Sequence, residues 1–186
     1  MSDFENPWTI LGSKKVYDNN WIEVTEFSVI NPSGHPGVYG KVHYKNQAIG
    51  VVPLDDEFNI FLVGQYRFPL DQYSWEIPEG GKPDNEDPLE CAKRELLEET
   101  GLKAKQWKVL IEMDLSNSVS DESAIIFLAR DLAQHEAAPE ETEELKVKKI
   151  NFEHAYEMVQ RGEIRDAMSV AAILQIKLMM LQGEQF

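Results

Sequence analysis

Glu95, Glu98 and Glu99 stand within little more than one turn of a stretch that reads as helix. Residues four apart share a helical face, so Glu95 and Glu99 project together, with Glu98 beside them. Carboxylates this crowded repel one another unless cations lie between them. Mg²⁺ favours such hard oxygen donors in octahedral array, and Mn²⁺ can stand in for it. Upstream lies Pro78-Glu79-Gly80-Gly81. Glycine permits close backbone approach, so carbonyls of this loop can reach the same cations. A cation so held neutralises phosphoryl oxygens, steadies a leaving group and acidifies water, which is the chemistry needed to cut a phosphoanhydride. Arg94 lies four residues from both Glu90 and Glu98. Pairing with either would help hold the carboxylates in place. Glu86 reads as a structural cap or brace rather than a ligand.

The element carrying these groups has marked ends. Asp87 suits the N-cap, Pro88 the first helical position and Glu90 the first-turn carboxylate. Ala92 to Glu99 are mostly good helix formers, and Gly101 suits the stop. Leu89, Ala92, Leu96 and Thr100 share another side of the helix, which can pack on a sheet.

The chain before it reads as β-rich. Residues 21–30 alternate apolar and polar side chains, and residues 31–37 form a turn cluster rich in proline and glycine. Residues 38–44 resume strand character, so a hairpin is expected. Residues 48–53 and 60–65 look like buried strands around the turn 54–59. Residues 107–113 and 124–129 read as further strands, and the acidic stretch 136–144 as a loop. Helices are expected over about 152–161 and 169–181, the second amphipathic. Strands and helices mix with hairpin-like connections, so a mixed sheet covered by helices is expected.

Bulk properties narrow the partners. The chain has 186 residues, 42% hydrophobic and 27% charged, which suits one globular domain with a small appended piece. Net charge is −15, which argues against nucleic acid and anionic membranes, since both want basic patches. No apolar run approaches a bilayer span. The first residues have no signal-peptide character. Cys91 is the only cysteine, so no intrachain disulfide can form, and a reducing, cytoplasmic setting is expected. The four histidines show no paired metal spacing, and His43 is the one worth following. No nucleophile elbow, Walker loop or dinucleotide fingerprint occurs.

Taken alone, a glutamate run on a helix is more often a solvated face than a site. The offsets around this one change that. From Gly80, five residues lead to Glu86, and seven more to Arg94-Glu95-Leu96-Leu97-Glu98-Glu99-Thr100-Gly101-Leu102. This pattern resembles the signature box of the Nudix hydrolase family at every fixed position. The resemblance implies an α+β fold, a Nudix-type α/β/α sandwich with a mixed sheet, plus an N-terminal antiparallel β subdomain. It implies residues 1–45 as that subdomain and residues 46–186 as the hydrolase domain. It also implies Glu95 and Glu99 as principal metal ligands, Glu98 and the Glu79 carbonyl as further ones, and Mg²⁺ as cofactor.

Three features resemble the family's ADP-ribose and nucleoside diphosphate sugar branch. The first 45 residues resemble the branch's N-terminal subdomain, which helps form a homodimer and reaches the partner's substrate site. Gln65-Tyr66-Arg67 followed by Trp75-Glu76-Ile77-Pro78-Glu79-Gly80 resembles a run of that branch. Arg67 can offer a bidentate fork to phosphate, and Glu76 can accept from a base, a ribose or Arg67 itself. An ion pair between the two is the structural alternative. Residues 140–145 resemble the branch's late acidic loop, which implies Glu141 as general base and Glu143 as a further metal ligand. The branch's ADP-ribose enzymes carry a proline about fifteen residues after the box, but residues 115–120 contain none. A broader preference, covering ADP-ribose and ADP- or GDP-linked hexoses, therefore fits best. Trp8, Tyr17, Trp21, Tyr39, Tyr44 and Trp75 are candidates for stacking on the base.

Two rival readings remain at this level. One is a non-catalytic Nudix module that senses a nucleotide. The other is a Nudix enzyme for dinucleoside polyphosphates, coenzyme A or damaged nucleoside triphosphates. The complete glutamate set speaks against the first, and the long N-terminal β region against the second.

Overall fold

The computed structural model describes residues 5–135 and 145–184. The packing of the chain falls into two units. One comprises Met1–Asn46 with Asp114–Glu122, the other Gln47–Met113 with Ser123–Phe186.

The smaller unit is an antiparallel sheet of β1 (Thr9–Asp18), β2 (Ile22–Ile30) and β3 (Pro36–Tyr44), in that order. The expected hairpin is β2–β3. In its turn the Asn31 side-chain oxygen accepts from the Ser33 and His35 amides, both at 3.0 Å, and Gly34 adopts φ 82°. That backbone favours glycine. β1 has no clean alternation of apolar and polar residues, and it lies exposed along its whole length. The 114–122 segment is tied to β3. The Val42 amide donates to the Val119 carbonyl at 2.9 Å, and the Tyr39 hydroxyl to the Ser118 carbonyl at 2.6 Å.

The larger unit contains β4 (Gln47–Pro53), β5 (Asn59–Arg67), β6 (Gln72–Glu76), β7 (Glu79–Lys82), α1 (Pro88–Thr100), β8 (Leu102–Asp114), β9 (Ser123–Gln134), β10 (Lys146–Asn151), α2 (Phe152–Gln160) and α3 (Ala167–Gln182). One sheet runs β7-β4-β9-β8 and another β10-β5-β6. β4 pairs parallel with β9 and antiparallel with β7, so the first sheet is mixed. Its central pair is covered on both faces, which explains why residues 48–53 are apolar without alternation. On one face Ile49, Val51, Phe127 and Ala129 pack against Cys91, Ala92 and Leu96 of α1. On the other, Gly50 lies so close to Met168 of α3 and to Ile77 that a β-carbon would come within 2.9 Å of both. The architecture is α+β: the larger unit holds a mixed sheet between helices, and the smaller unit is an antiparallel sheet.

Two expectations shift in detail. β6 and β7 carry weak strand signals in the sequence: β7 is Glu-Gly-Gly-Lys, of little strand propensity, and β6 is only five residues long, with Tyr73 and Trp75 its strand-favouring residues. α3 was expected to be amphipathic. It buries Met168, Ala172, Ile173, Ile176 and Met179, yet Leu174, Leu178 and Leu181 remain exposed on its other side, so it is apolar almost all round.

Candidate active site

The site begins with the ends of α1. The Asp87 carboxylate accepts from the Leu89 and Glu90 amides at 2.9 and 3.2 Å. These are donors that a helix start otherwise leaves without partners. Gly101 closes the helix at φ 70°, its amide donating to the Leu97 carbonyl at 2.9 Å. With Ala92 and Leu96 locked into the core, the helix rotation is settled, and Glu95 and Glu99 turn toward β7. Both are buried, at 9% and 3% exposure.

β7 meets them residue for residue. The Glu79 amide donates to Glu99 Oε2 at 3.0 Å. The Glu95 carboxylate occupies the space where a β-carbon on Gly80 would stand. Only glycine lets that carboxylate lie against the strand without displacement. Pro78 continues the anchoring, its carbonyl accepting from the Val51 amide at 2.8 Å.

Arg94 threads the carboxylates together. It makes a bidentate pair with Glu86, Nε to Oε1 at 3.0 Å and Nη2 to Oε2 at 2.9 Å. Its Nη1 donates to Glu95 at 2.6 Å and to Glu98 at 3.1 Å. Of the two pairings open at the sequence level, Glu98 is the one formed, while Glu90 pairs with Lys93. Arg94 holds the Glu86 carboxyl below its ordinary pKa, and Glu86 chiefly holds the guanidinium charged. Glu86 is thus the brace it was read to be. The buried Cys91 thiol is pushed up to about 12, first by burial, which removes it as a nucleophile.

A second ion cluster adjoins the first. Arg67 Nε donates to both Glu76 oxygens at 3.0 Å, and its Nη2 bonds Glu76 and, at 2.8 Å, Glu79 Oε1. Burial works against the Arg67 charge, but Glu76 and Glu79 more than offset it. The Arg67 side chain is one-third exposed.

Glu79 Oε2 is buried without a hydrogen-bond partner. Burial, then Asp166 and Glu76, raises the Glu79 carboxyl well above the usual carboxylate range, against the pull of Arg67. Among the described residues no three His, Cys, Asp or Glu side chains are gathered into a finished cation cage. Glu95 and Glu98 are both drawn to Arg94. The donor set nevertheless suits a hard divalent cation: partly buried carboxylates, one orphaned carboxylate oxygen, and a glycine cradle that admits backbone. Glu95, Glu98, Glu99 and Glu79 are the residues that can hold it. Glu141 and Glu143, the expected base and further ligand, lie outside the described residues.

A NUDIX domain model matches residues 44–173, and a nucleoside diphosphate sugar hydrolase N-terminal domain model matches residues 8–42. The chain belongs to the Nudix family.

Relatives and neighbours agree with this. An ADP-ribose pyrophosphatase of Mycobacterium tuberculosis is 36% identical over 69% of this chain, and the match spans 64% of that protein, under two thirds of its length. An ADP-ribose pyrophosphatase of Bacillus subtilis is 35% identical, over 70% of this chain and 72% of that protein. The solved structure of an ADP compounds hydrolase superposes with a TM-score of 0.86 over 99% of this chain and 100% of that one, at 22% identity, which speaks for the fold alone. Nudix proteins work with a divalent metal ion, which the glutamates of this site suit.

Other candidates in this Nudix chain fall elsewhere. Trp8 and Tyr39 meet edge to face in the smaller unit, with centroids 5.3 Å apart. Trp75 lies over Gly64, with the Lys148 ammonium 4.1 Å from its ring centre. His43 bonds Asp121 at 2.8 Å in the smaller unit. The sequence reading missed Asp166 and Ser169. They lie at the start of α3, far along the chain from the box, and no local pattern marks them.

Proposed function

We propose that the chain hydrolyses the diphosphate bond of nucleoside diphosphate sugars, including ADP-ribose and ADP- or GDP-hexoses, to a nucleoside monophosphate and a sugar phosphate. The observation that carries this reading is the seating of Glu95 and Glu99 against β7, one on Gly80 and the other on the Glu79 amide. Two adjacent strand residues and two glutamates one turn apart thus define one small acidic floor. Mg²⁺ bound there supplies neutralisation of the diphosphate and activation of water. Glu95, Glu98 and Glu99 offer the carboxylates, and Glu79 a further oxygen. Arg67, steadied by Glu76, binds a phosphate. Glu141 takes the proton from the attacking water, with Glu143 as an added ligand. The names of the relatives support the substrate class. They include GDP-mannose pyrophosphatases of Escherichia coli and Enterobacter as well as the ADP-ribose enzymes.

Residues 1–45 are assigned to dimerisation and residues 46–186 to hydrolysis. The large exposed apolar side chains Ile10, Leu11 and Val16 of β1, with Trp21 in the turn before β2, support a homodimer. Among the described residues no helix is long and apolar enough to cross a membrane. A cytoplasmic setting suits the one buried, unpaired cysteine.

A second reading, a regulatory module, has one observation in its favour. A relative from Bacillus methanolicus, 32% identical over 70% of this chain, is a methanol dehydrogenase activator. Product-resolved assay of a nucleotide-sugar panel with Mg²⁺ separates the two. Mg²⁺-dependent release of nucleoside monophosphate and sugar phosphate is expected from ADP-ribose and at least one hexose derivative. Binding without turnover across the panel would favour the regulatory reading and end the catalytic one.

A further inference from the structure

Three consecutive residues ahead of the acidic floor are each held by a different element. The Ile77 amide donates to Ser169 Oγ of α3 at 2.9 Å. The Pro78 carbonyl accepts from Val51 of β4 at 2.8 Å. The Glu79 amide donates to Glu99 of α1 at 3.0 Å. Ile77 and Ser169 are wholly buried, so the first bond has no water to replace it. Ser169 is itself set by the cap of α3, its amide donating to Asp166 Oδ2 at 2.7 Å. Pro78 stiffens the run further, because a residue before proline is confined to extended backbone.

The geometry points to Ser169, oriented by the Asp166 cap, as a positioning residue that sets the Ile77–Glu79 backbone and through it the Glu99 carboxylate. The last helix of the chain thereby tunes a cation site built on the first helix. Ser169 touches neither substrate nor cation and acts only through this tether. Asp166 adds a second influence, since its charge also acts on Arg67 and Glu79. The inference rests on the proposed cation site, but the tether itself can be tested without turnover.

The test combines backbone hydrogen exchange with Mn²⁺ titration followed by electron paramagnetic resonance, on the full chain. Ser169→Ala removes the acceptor. Exchange at both the Ile77 and the Glu79 amides is expected to rise about tenfold, and the Mn²⁺ dissociation constant about fivefold or more. Asp166→Ala, at a half-buried position, loosens the same serine and keeps the test open if Ser169→Ala does not fold. It should give smaller changes in the same direction. Asp166→Asn keeps a capping oxygen and should restore wild-type exchange at both amides. A purely structural serine would raise exchange at Ile77 alone and leave Glu79 exchange and Mn²⁺ affinity at wild-type values. That pattern, in Ser169→Ala or in Asp166→Ala, overturns the inference. Failure of the hydrolase reading looks different: wild-type protein inert toward every nucleotide sugar, with the exchange result still deciding the tether.

Discussion

Glu99→Gln is expected to lower Mg²⁺-supported turnover by about a thousandfold, which corresponds to roughly 4 kcal/mol of transition-state stabilisation. The folded state should survive. A glutamine oxygen can still accept the Glu79 amide that Glu99 Oε2 now takes at 3.0 Å. Removing one charge from a crowded acidic floor also relieves repulsion. Urea unfolding without metal should therefore place the variant within about 1 kcal/mol of wild type. Steady-state kinetics over a range of Mg²⁺ checks the first expectation. Turnover within a factor of a few of wild type would remove Glu99 from the site. Extra Mg²⁺ should recover only the part of the loss that comes from weaker cation binding.

Gly80→Ala has the second largest expected effect, and for a steric reason. A β-carbon there would fall within the Glu95 carboxylate. The atoms it meets are the end of a flexible side chain, so the strand keeps its pairing with Ile49 and the carboxylate moves instead. Displacing a catalytic group by about an ångström costs on the order of a hundredfold. A loss of that size in kcat/KM is expected, with the thermal midpoint little changed. Unaltered kcat/KM would show that the position of Glu95 does not matter to the reaction. A large fall in the midpoint would show that Gly80 is needed for folding rather than for placing Glu95.

Both outcomes depend on features that differ in how openly the sequence displays them. The helix bearing the glutamates was legible from end to end, because Asp87, Pro88 and Gly101 act locally and the capping bonds form within a few residues. The buried strands β4 and β9 were legible because two covered faces demand continuous apolar runs. β1 and β7 were not, since glycines and charged residues interrupt them, and β6 was not because five residues make too short a pattern. The same divide runs through the site. Helical spacing leaves Arg94 open to Glu90 or Glu98, and its two bonds to Glu86 depend on how the loop before α1 returns. The Arg67–Glu76 pair was open at the sequence level as an alternative, but Glu79 as its third member was not: β5 and β6 pair with Arg67 opposite Gln72, and the long Arg67 side chain reaches along to Glu76 and on to Glu79 of β7. A register of that kind shows only once the strands are set. Ser169 and Asp166 are the extreme case: their link to the site passes through one buried hydrogen bond across the fold.

The most direct measurement is calorimetric titration of metal-free protein with Mn²⁺, wild type beside Glu99→Gln, at pH 6 and pH 8. Wild type should bind more tightly at the higher pH, since burial and neighbouring carboxylates raise the Glu79 carboxyl and cations favour its ionised form. The variant should bind at least about tenfold more weakly at both. Equal Mn²⁺ affinity in the two proteins, or none in either, would contradict a cation site built on this helix.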